Sequence, residues 1–173
     1  LNTDQHQIVY ASFLSIGHTQ ISIKEDKYKL IFTPFDKSKD YSKWKASMFG
    51  ITELKYDQMK NTTDIDLFLD KLDERGIAIW YMDHVFISEL KDTENISIRS
   101  NNFGYETQEK FVKKFNQYGI DCTIGCAGLT KHHCLNFNKE NTMKLLQLVN
   151  PYIHASIKEE RNEVYKWDNK FLN

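Results

Sequence analysis

Gly76-Ile77-Ala78-Ile79-Trp80-Tyr81-Met82-Asp83-His84-Val85 is the stretch that decides the fold, and Ile8-Val9-Tyr10-Ala11-Ser12-Phe13-Leu14-Ser15-Ile16-Gly17-His18 is its counterpart sixty-eight residues earlier. Both read as short helices that are apolar on most of their surface, which predicts burial rather than a single wet face. Ala11 and Ser15, four apart, are small enough to let a second helix approach closely, most simply against the turn of Ile79 and Asp83. The first helix has apolar positions Ile8, Val9, Phe13 and Ile16 at helical spacing, with Thr3 or Asp4 as a cap and Gly17 as a stop.

Working outward, each helix is followed by alternating polar and apolar residues. His18 to Lys24 and Tyr28 to Phe35 read as a β-hairpin around Glu25-Asp26, followed by a helix from Asp36 to Met48. After the second apolar helix, Val85 to Leu90 and Ile96 to Ser100 read as a hairpin, then Thr107 to Tyr118 as an amphipathic helix ended by Gly119. Asp121 to Gly125 and Lys131 to Phe137 form a further hairpin, and Asn141 to Val149 a helix closed by Asn150-Pro151. Between Phe49 and Arg75 only one short strand, Ile51 to Tyr56, and a helix, Asp64 to Leu72, are expected. The first half is therefore the shorter. The tail from Lys158 to Asn173 reads as a charged helix. Twelve aromatics from Tyr10 to Tyr152 fall at core-like periods: Tyr10, Phe13, Phe32, Trp44, Trp80, Tyr81, Phe86, Phe103, Phe111, Phe115, Phe137 and Tyr152.

The bulk numbers bound the answer. A chain of 173 residues, 40% hydrophobic, is long enough for one good core and is expected to form a single domain over 1–173. No apolar run approaches the roughly 20 residues of a membrane span. The residues from Leu1 to Gln5 have neither the basic start nor the apolar stretch of a secretory signal, and a targeting peptide removed before Leu1 stays open. Cys122, Cys126 and Cys134 are odd in number and lack C-x-x-C spacing. Buried thiols are favoured over a zinc site with His132 and His133. With 23 basic against 24 acidic residues the chain has no general pull on nucleic acid, whereas duplex-binding proteins are usually basic.

The paired helices, together with Ser100-Asn101-Asn102-Phe103, Tyr118-Gly119-Ile120, Lys39-Asp40-Tyr41-Ser42-Lys43-Trp44-Lys45 and Asn150-Pro151-Tyr152-Ile153-His154-Ala155, resemble the LAGLIDADG homing endonucleases. Their motifs often read like G-S-L-L-G-D-G-H and L-A-I-W-Y-M-D-D-G. The resemblance covers most of the chain. It implies an α+β fold of pseudo-two-fold αββαββα repeats, about 1–72 and 73–157, with two central packed helices, two antiparallel sheets and a shortened first repeat. Two core helices in one chain mean that no homodimer is required. In that family an acidic residue near each helix end holds the divalent metals that cut DNA, and the sheets form a saddle on the major groove.

On that pattern the two metal positions fall on Ile16 and His84. An isoleucine offers no oxygen, and an imidazole suits zinc or copper rather than Mg²⁺. Asp83 is adjacent, but one helical residue turns it by about 100°, and a local hydrogen bond is its favoured role. Glu25, Asp26 and Glu89 are the next acids. Ser12 and Ser15 lack any arrangement expected of a nucleophile. Nucleic-acid contacts are expected on the sheets from Gln20, Ser22, Lys24, Lys29, Thr33, Arg99, Asn101, Asn102, Thr123, Lys131, His133 and Asn136. Phosphate contacts are expected from Lys37, Lys39, Lys43 and Lys45, and from Lys110, Lys113 and Lys114, each as readily a solvated charge.

These residues lead to the expectation of a non-enzyme: a catalytically inactive relative, without cofactor or metal. Its partners would be RNA or proteins of an organellar ribonucleoprotein such as a mitochondrial ribosome or a splicing intron, with no membrane partner and double-stranded DNA possible. The location would be intracellular, in the mitochondrion or another organelle. The alternatives are an active endonuclease using Mg²⁺ at a rearranged site, or a non-cutting regulator that binds DNA.

Overall fold

The computed structural model describes residues 2–14, 19–24, 27–32, 39–48, 69–84, 95–100, 103–127 and 132–158. Helix α1 (Thr3–Leu14) leads into strands β1 (Thr19–Lys24) and β2 (Lys27–Phe32), then helix α2 (Lys39–Ser47). Helix α3 (Glu74–His84) opens the second half, followed by β3 (Ile96–Arg99), α4 (Tyr105–Asn116), β4 (Thr123–Ala127), β5 (His132–Phe137) and α5 (Lys139–Val149). A 3₁₀ turn, Asn150–Tyr152, closes α5 at Pro151. The expected strands over 85–90 and 51–56, and the tail from 159, lie outside the described residues; of the expected helix over 64–72 only 69–72 are described, and 69–71 are helical.

Two antiparallel sheets form, β1-β2 and β3-β5-β4, the first the smaller among the described residues. Cross-strand partners share a face. In the second sheet Ile96 pairs with Phe137, and Ile98 and Ile124 with Leu135, which makes the core face. The opposite face carries the rows Ser97–Asn136–Thr123 and Arg99–Cys134–Gly125.

The helix ends are fixed by short polar side chains. Asn2, rather than the expected Thr3 or Asp4, caps α1. The Gln5 amide N–H donates to Asn2 Oδ1 and the Asn2 N–H to Gln5 Oε1, each at 2.8 Å, a reciprocal capping box. The Gln5 side chain also donates to the Met48 carbonyl at 2.6 Å and so ties α1 to the end of α2. Asp73 caps α3, accepting from the N–H groups of Arg75 and Gly76 at 3.0 and 3.1 Å. Asn138 caps α5. Gly119 ends α4 with φ of 69°, a left-handed position that suits glycine.

The core runs from α1 through α3 to α4 and the second sheet. Ile8, Ala11 and Leu14 are fully buried, as are Ile77, Ala78, Trp80 and Tyr81 of α3. Trp80 packs on Phe111 and Phe115 of α4, with ring centroids 4.9 and 5.7 Å apart. Phe115 then meets Phe137 of β5 edge-on at 5.0 Å. Tyr152 departs from the expected core: it is 37% exposed, with the Arg75 guanidinium 5.8 Å over its ring.

Polar groups link the layers. Buried Gln7 donates to the Lys71 carbonyl at 3.0 Å and accepts from the Asp73 N–H at 3.1 Å, so α1 holds the chain entering α3. Gly76 lets this happen. A Cβ there would lie 2.4 Å from both Gln7 Oε1 and Leu72 Cδ1. Helix propensity alone favours alanine by about 1 kcal/mol, yet the clash displaces a hydrogen-bonded amide and a buried leucine. Gly76→Ala is expected to cost about 1–3 kcal/mol net, read as a lower midpoint in denaturant. An unchanged midpoint would refute the close approach.

Around the end of α2, the rings of Tyr41, Trp44 and His154 gather within 6.0 Å of one another, and the His154 N–H donates to Met82 Sδ at 3.3 Å. Burial pushes the His154 pKa down, against the weaker opposing pull of Asp40. The folded protein thus favours the neutral ring. Its contribution to stability is complete above the ordinary histidine value of about 6.5 and is lost as pH falls below it. His154→Gln should flatten the loss of stability on that acid side, measured as Tm against pH. An unaltered slope would exclude the histidine as its source.

Candidate nucleic-acid interface and helix-end site

Asp83 lies one residue before the end of α3, and its surroundings decide what it can do. Lys45 of α2 places its Nζ 2.9 and 2.8 Å from Asp83 Oδ1 and Oδ2, with both side chains out of solvent. The Tyr41 ring lies 5.2 Å from the same ammonium. Asp83 therefore faces α2, in keeping with the turn of about 100° from the next position. An ammonium on both oxygens neutralises the carboxylate, so the pair accounts for Asp83 without a metal. Lys45, grouped by sequence with phosphate-contacting lysines, is 2% exposed and belongs to the interior instead.

The other helix-end positions are less informative. Ile16, Glu25, Asp26 and Glu89 lie outside the described residues, and of His84 only its place as the last residue of α3 is described. Among the described residues no three carboxylate, imidazole or thiol groups converge on one point. The cysteines are separated by the pleat. Cys126 pairs with His133 on the core side of the sheet, whereas Cys134 pairs with Gly125 on the open side. Cys122 precedes the strand, and burial pushes its thiol up to about 12.

The open face of the second sheet collects Ser97, Arg99, Thr123, Cys134 and Asn136, with His132 and Ala127 at its end. Arg99 and Thr123 are exposed. Cys134 is 1% exposed at the centre. His133, expected as a contact, falls by register on the opposite face with Leu135 and Phe137, because a strand alternates sides at every residue. In the first sheet, register puts Gln20, Ser22, Lys24, Lys27 and Lys29 on one face and Ile21, Ile23, Tyr28 and Leu30 on the other. Asn101, Asn102, Lys131, Thr33 and Lys37 lie outside the described residues. Lys39 opens α2. Lys43 is exposed and 3.4 Å from Asp40. Lys114 is buried, with its ammonium 5.9 Å from the Tyr118 ring, and so is removed from the expected phosphate contacts.

The spacing of strands fits a groove. Neighbouring strands lie about 4.8 Å apart, so the rows from β3 to β4 span roughly 10 Å, against a major groove about 12 Å wide. A two-stranded ribbon fits the same groove. The small first sheet is therefore no obstacle to docking.

A sequence profile described as the LAGLIDADG DNA endonuclease family matches residues 55–145, just over half of the chain. Among solved structures, the homing endonuclease I-WcaI bound to its DNA recognition sequence is similar, with a TM-score of 0.74 and 17% identity over 92% of this chain and 86% of that one. Mesophilic variants of the homing endonuclease I-DmoI match with a TM-score of 0.49 and 9% identity, over 85% and 90% of the two chains. No curated protein sequence matches. The profile match corrects the expectation of a non-enzyme: the matched family is one of DNA-cutting enzymes, and nothing in the matches marks a loss of activity. A ribosomal, splicing or organellar role draws no support from them either.

The Asp83–Lys45 pair carries a direct consequence. Removing one partner of a buried pair strands the other, whereas replacing both with apolar groups of similar size is often neutral. Asp83→Asn is expected to destabilise by about 3–5 kcal/mol, and Asp83→Leu combined with Lys45→Met to recover most of that loss. Urea unfolding of the three proteins decides it. A stable Asp83→Asn protein would mean that the carboxylate is not needed by the fold.

Proposed function

The chain belongs to the LAGLIDADG DNA endonuclease family, and we propose that it is a site-specific endonuclease that seats duplex DNA on the open faces of its two sheets. The observation that supports this most is the second sheet. Its isoleucines, Leu135 and Phe137 go to the core, and an arginine, an asparagine, a serine and a threonine lie on the other face, with Cys134 and Gly125 between them, at major-groove width.

The division of labour follows from the side chains. Arg99, exposed at the edge of the sheet, has the forked donors that read guanine O6 and N7. Lys24, Lys27 and Lys29 share one face of the first hairpin and can meet the second half-site or its phosphates. With a net charge of −1, affinity rests on these local groups rather than on a general field, so non-specific binding should be weak. The pair α1 and α3 holds the two sheets in fixed relation. Cleavage in the family needs divalent metal, and Asp83 is already committed to Lys45. The donors left to consider are the acids that follow the two helices in sequence, Glu25, Asp26 and Glu89, together with His84.

The test uses a library of random duplexes with Mg²⁺ or Mn²⁺. Sequencing of the cut ends should return one extended target, and Arg99→Ala should cost about 1–3 kcal/mol in binding that target, concentrated at one guanine. Absence of metal-dependent cutting of any duplex would overturn the assignment.

A further inference from the structure

The centre of the open face is occupied by Asn136, whose amide is not free to turn. Its Oδ1 accepts from Ser97 Oγ at 2.7 Å and from Cys134 Sγ at 3.3 Å. The Cys134 thiol can hold that donating role because burial raises its pKa and keeps the proton on sulfur. The other end of the amide lies over Gly125, directly across the ladder from Cys134. A Cβ at Gly125 would come 2.1 Å from Asn136 Nδ2. Glycine thus makes room for the amide nitrogen, and no acceptor for that nitrogen occurs among the described residues. Asn136 is half-buried at its base and faces the side of the sheet away from the core.

We infer that Asn136 is a specificity-determining residue that reads one base through its Nδ2 donors alone and so selects a keto base, guanine or thymine. The inference rests on the DNA-docking reading above. An asparagine with both ends free takes adenine, accepting from N6 and donating to N7. Here the accepting end is spent on Ser97 and Cys134. What remains is the amide nitrogen, over Gly125 on the face away from the core. Guanine offers O6 and N7 and thymine offers O4. Cytosine offers only an amino group, donor to donor, and adenine offers N7 but sets its N6 amino group against the second amide hydrogen. The neighbours on the face are Arg99, one row away, and Thr123, the direct cross-strand partner.

The experiment selects bound duplexes from a random library with the wild-type protein and three variants, after thermal unfolding has confirmed that each is folded. Asn136→Asp keeps the shape, retains an oxygen for Ser97 and Cys134, and turns the free end into an acceptor. One position of the target should switch from guanine or thymine to adenine or cytosine while the rest stays the same. Ser97→Ala releases the accepting end and should admit adenine at that position alone. Gly125→Ala displaces the nitrogen and should level the preference there. A single wrong base at such a contact is worth about 1–3 kcal/mol, which is roughly 5- to 150-fold in enrichment. If wild type and Asn136→Asp select the same target, or wild type selects adenine or cytosine at every position that responds to Asn136, the inference fails and DNA binding stands. If no duplex is enriched by wild type, the docking reading falls and this inference with it.

Discussion

The approach of α1 to α3 is the constraint on which the rest of the architecture depends. Helix α3 is buried from Gly76 to Asp83, and α1 buries Gln7, Ile8, Ala11, Ser12 and Leu14. Their close approach is made at Gly76, against Gln7. Gly76 is an unfavourable helix residue kept by geometry, because its missing side chain is the space where Gln7 reaches the backbone of 71–73. One amide thus satisfies a carbonyl and an N–H of the chain that enters α3. Asp73, whose N–H donates to Gln7, also caps the same helix with its carboxylate, which links helix initiation to helix packing. From this seam the aromatic column of Trp80, Phe111, Phe115 and Phe137 carries the order out to the second sheet.

The legible part of the sequence is the part written in period and punctuation. Alternation in Ile96–Arg99 and His132–Phe137, helical spacing in Tyr105–Asn116, and stops at Gly119 and Pro151 all mark elements that form where they are read. Boundaries move by one to three residues where a cap takes over. Asn2 displaces Thr3 and Asp4 because the helix selects the residue whose side chain reaches back to Gln5. What period cannot supply is register between strands distant in sequence. His133 and His132 are adjacent and chemically identical, yet pairing with Cys126 sends the first to the core side. The lysines show the same limit. Lys43 and Lys45 are two apart on α2, one in solvent and one sealed against Asp83.

That ion pair also explains why the end of α3 reads ambiguously in one dimension. A carboxylate beside a family metal position invites a catalytic role, and the sequence alone shows neither direction nor partner. The side chain answers by turning toward α2, where a lysine thirty-eight residues earlier neutralises it. Two desolvated charges are rarely a net gain in stability. Their effect is to fix geometry, because an unpaired ammonium or carboxylate at that depth excludes any alternative seating of α2 on α3. The chain belongs to a family of DNA-cutting enzymes; the direction of Asp83 follows from its partner on α2 and not from its place beside a family metal position.

Charge and shape then divide the work of recognition. With nearly equal numbers of acids and bases, the chain has only local basic groups to neutralise phosphates. On the proposed DNA-docking reading, selectivity comes from base edges met by side chains held in one orientation. The row Ser97–Asn136–Thr123 has that character: a hydroxyl and a thiol hold one end of an amide, and a glycine leaves space for the other. An amide fixed in advance loses little entropy on binding and penalises the wrong base by direct opposition of donors.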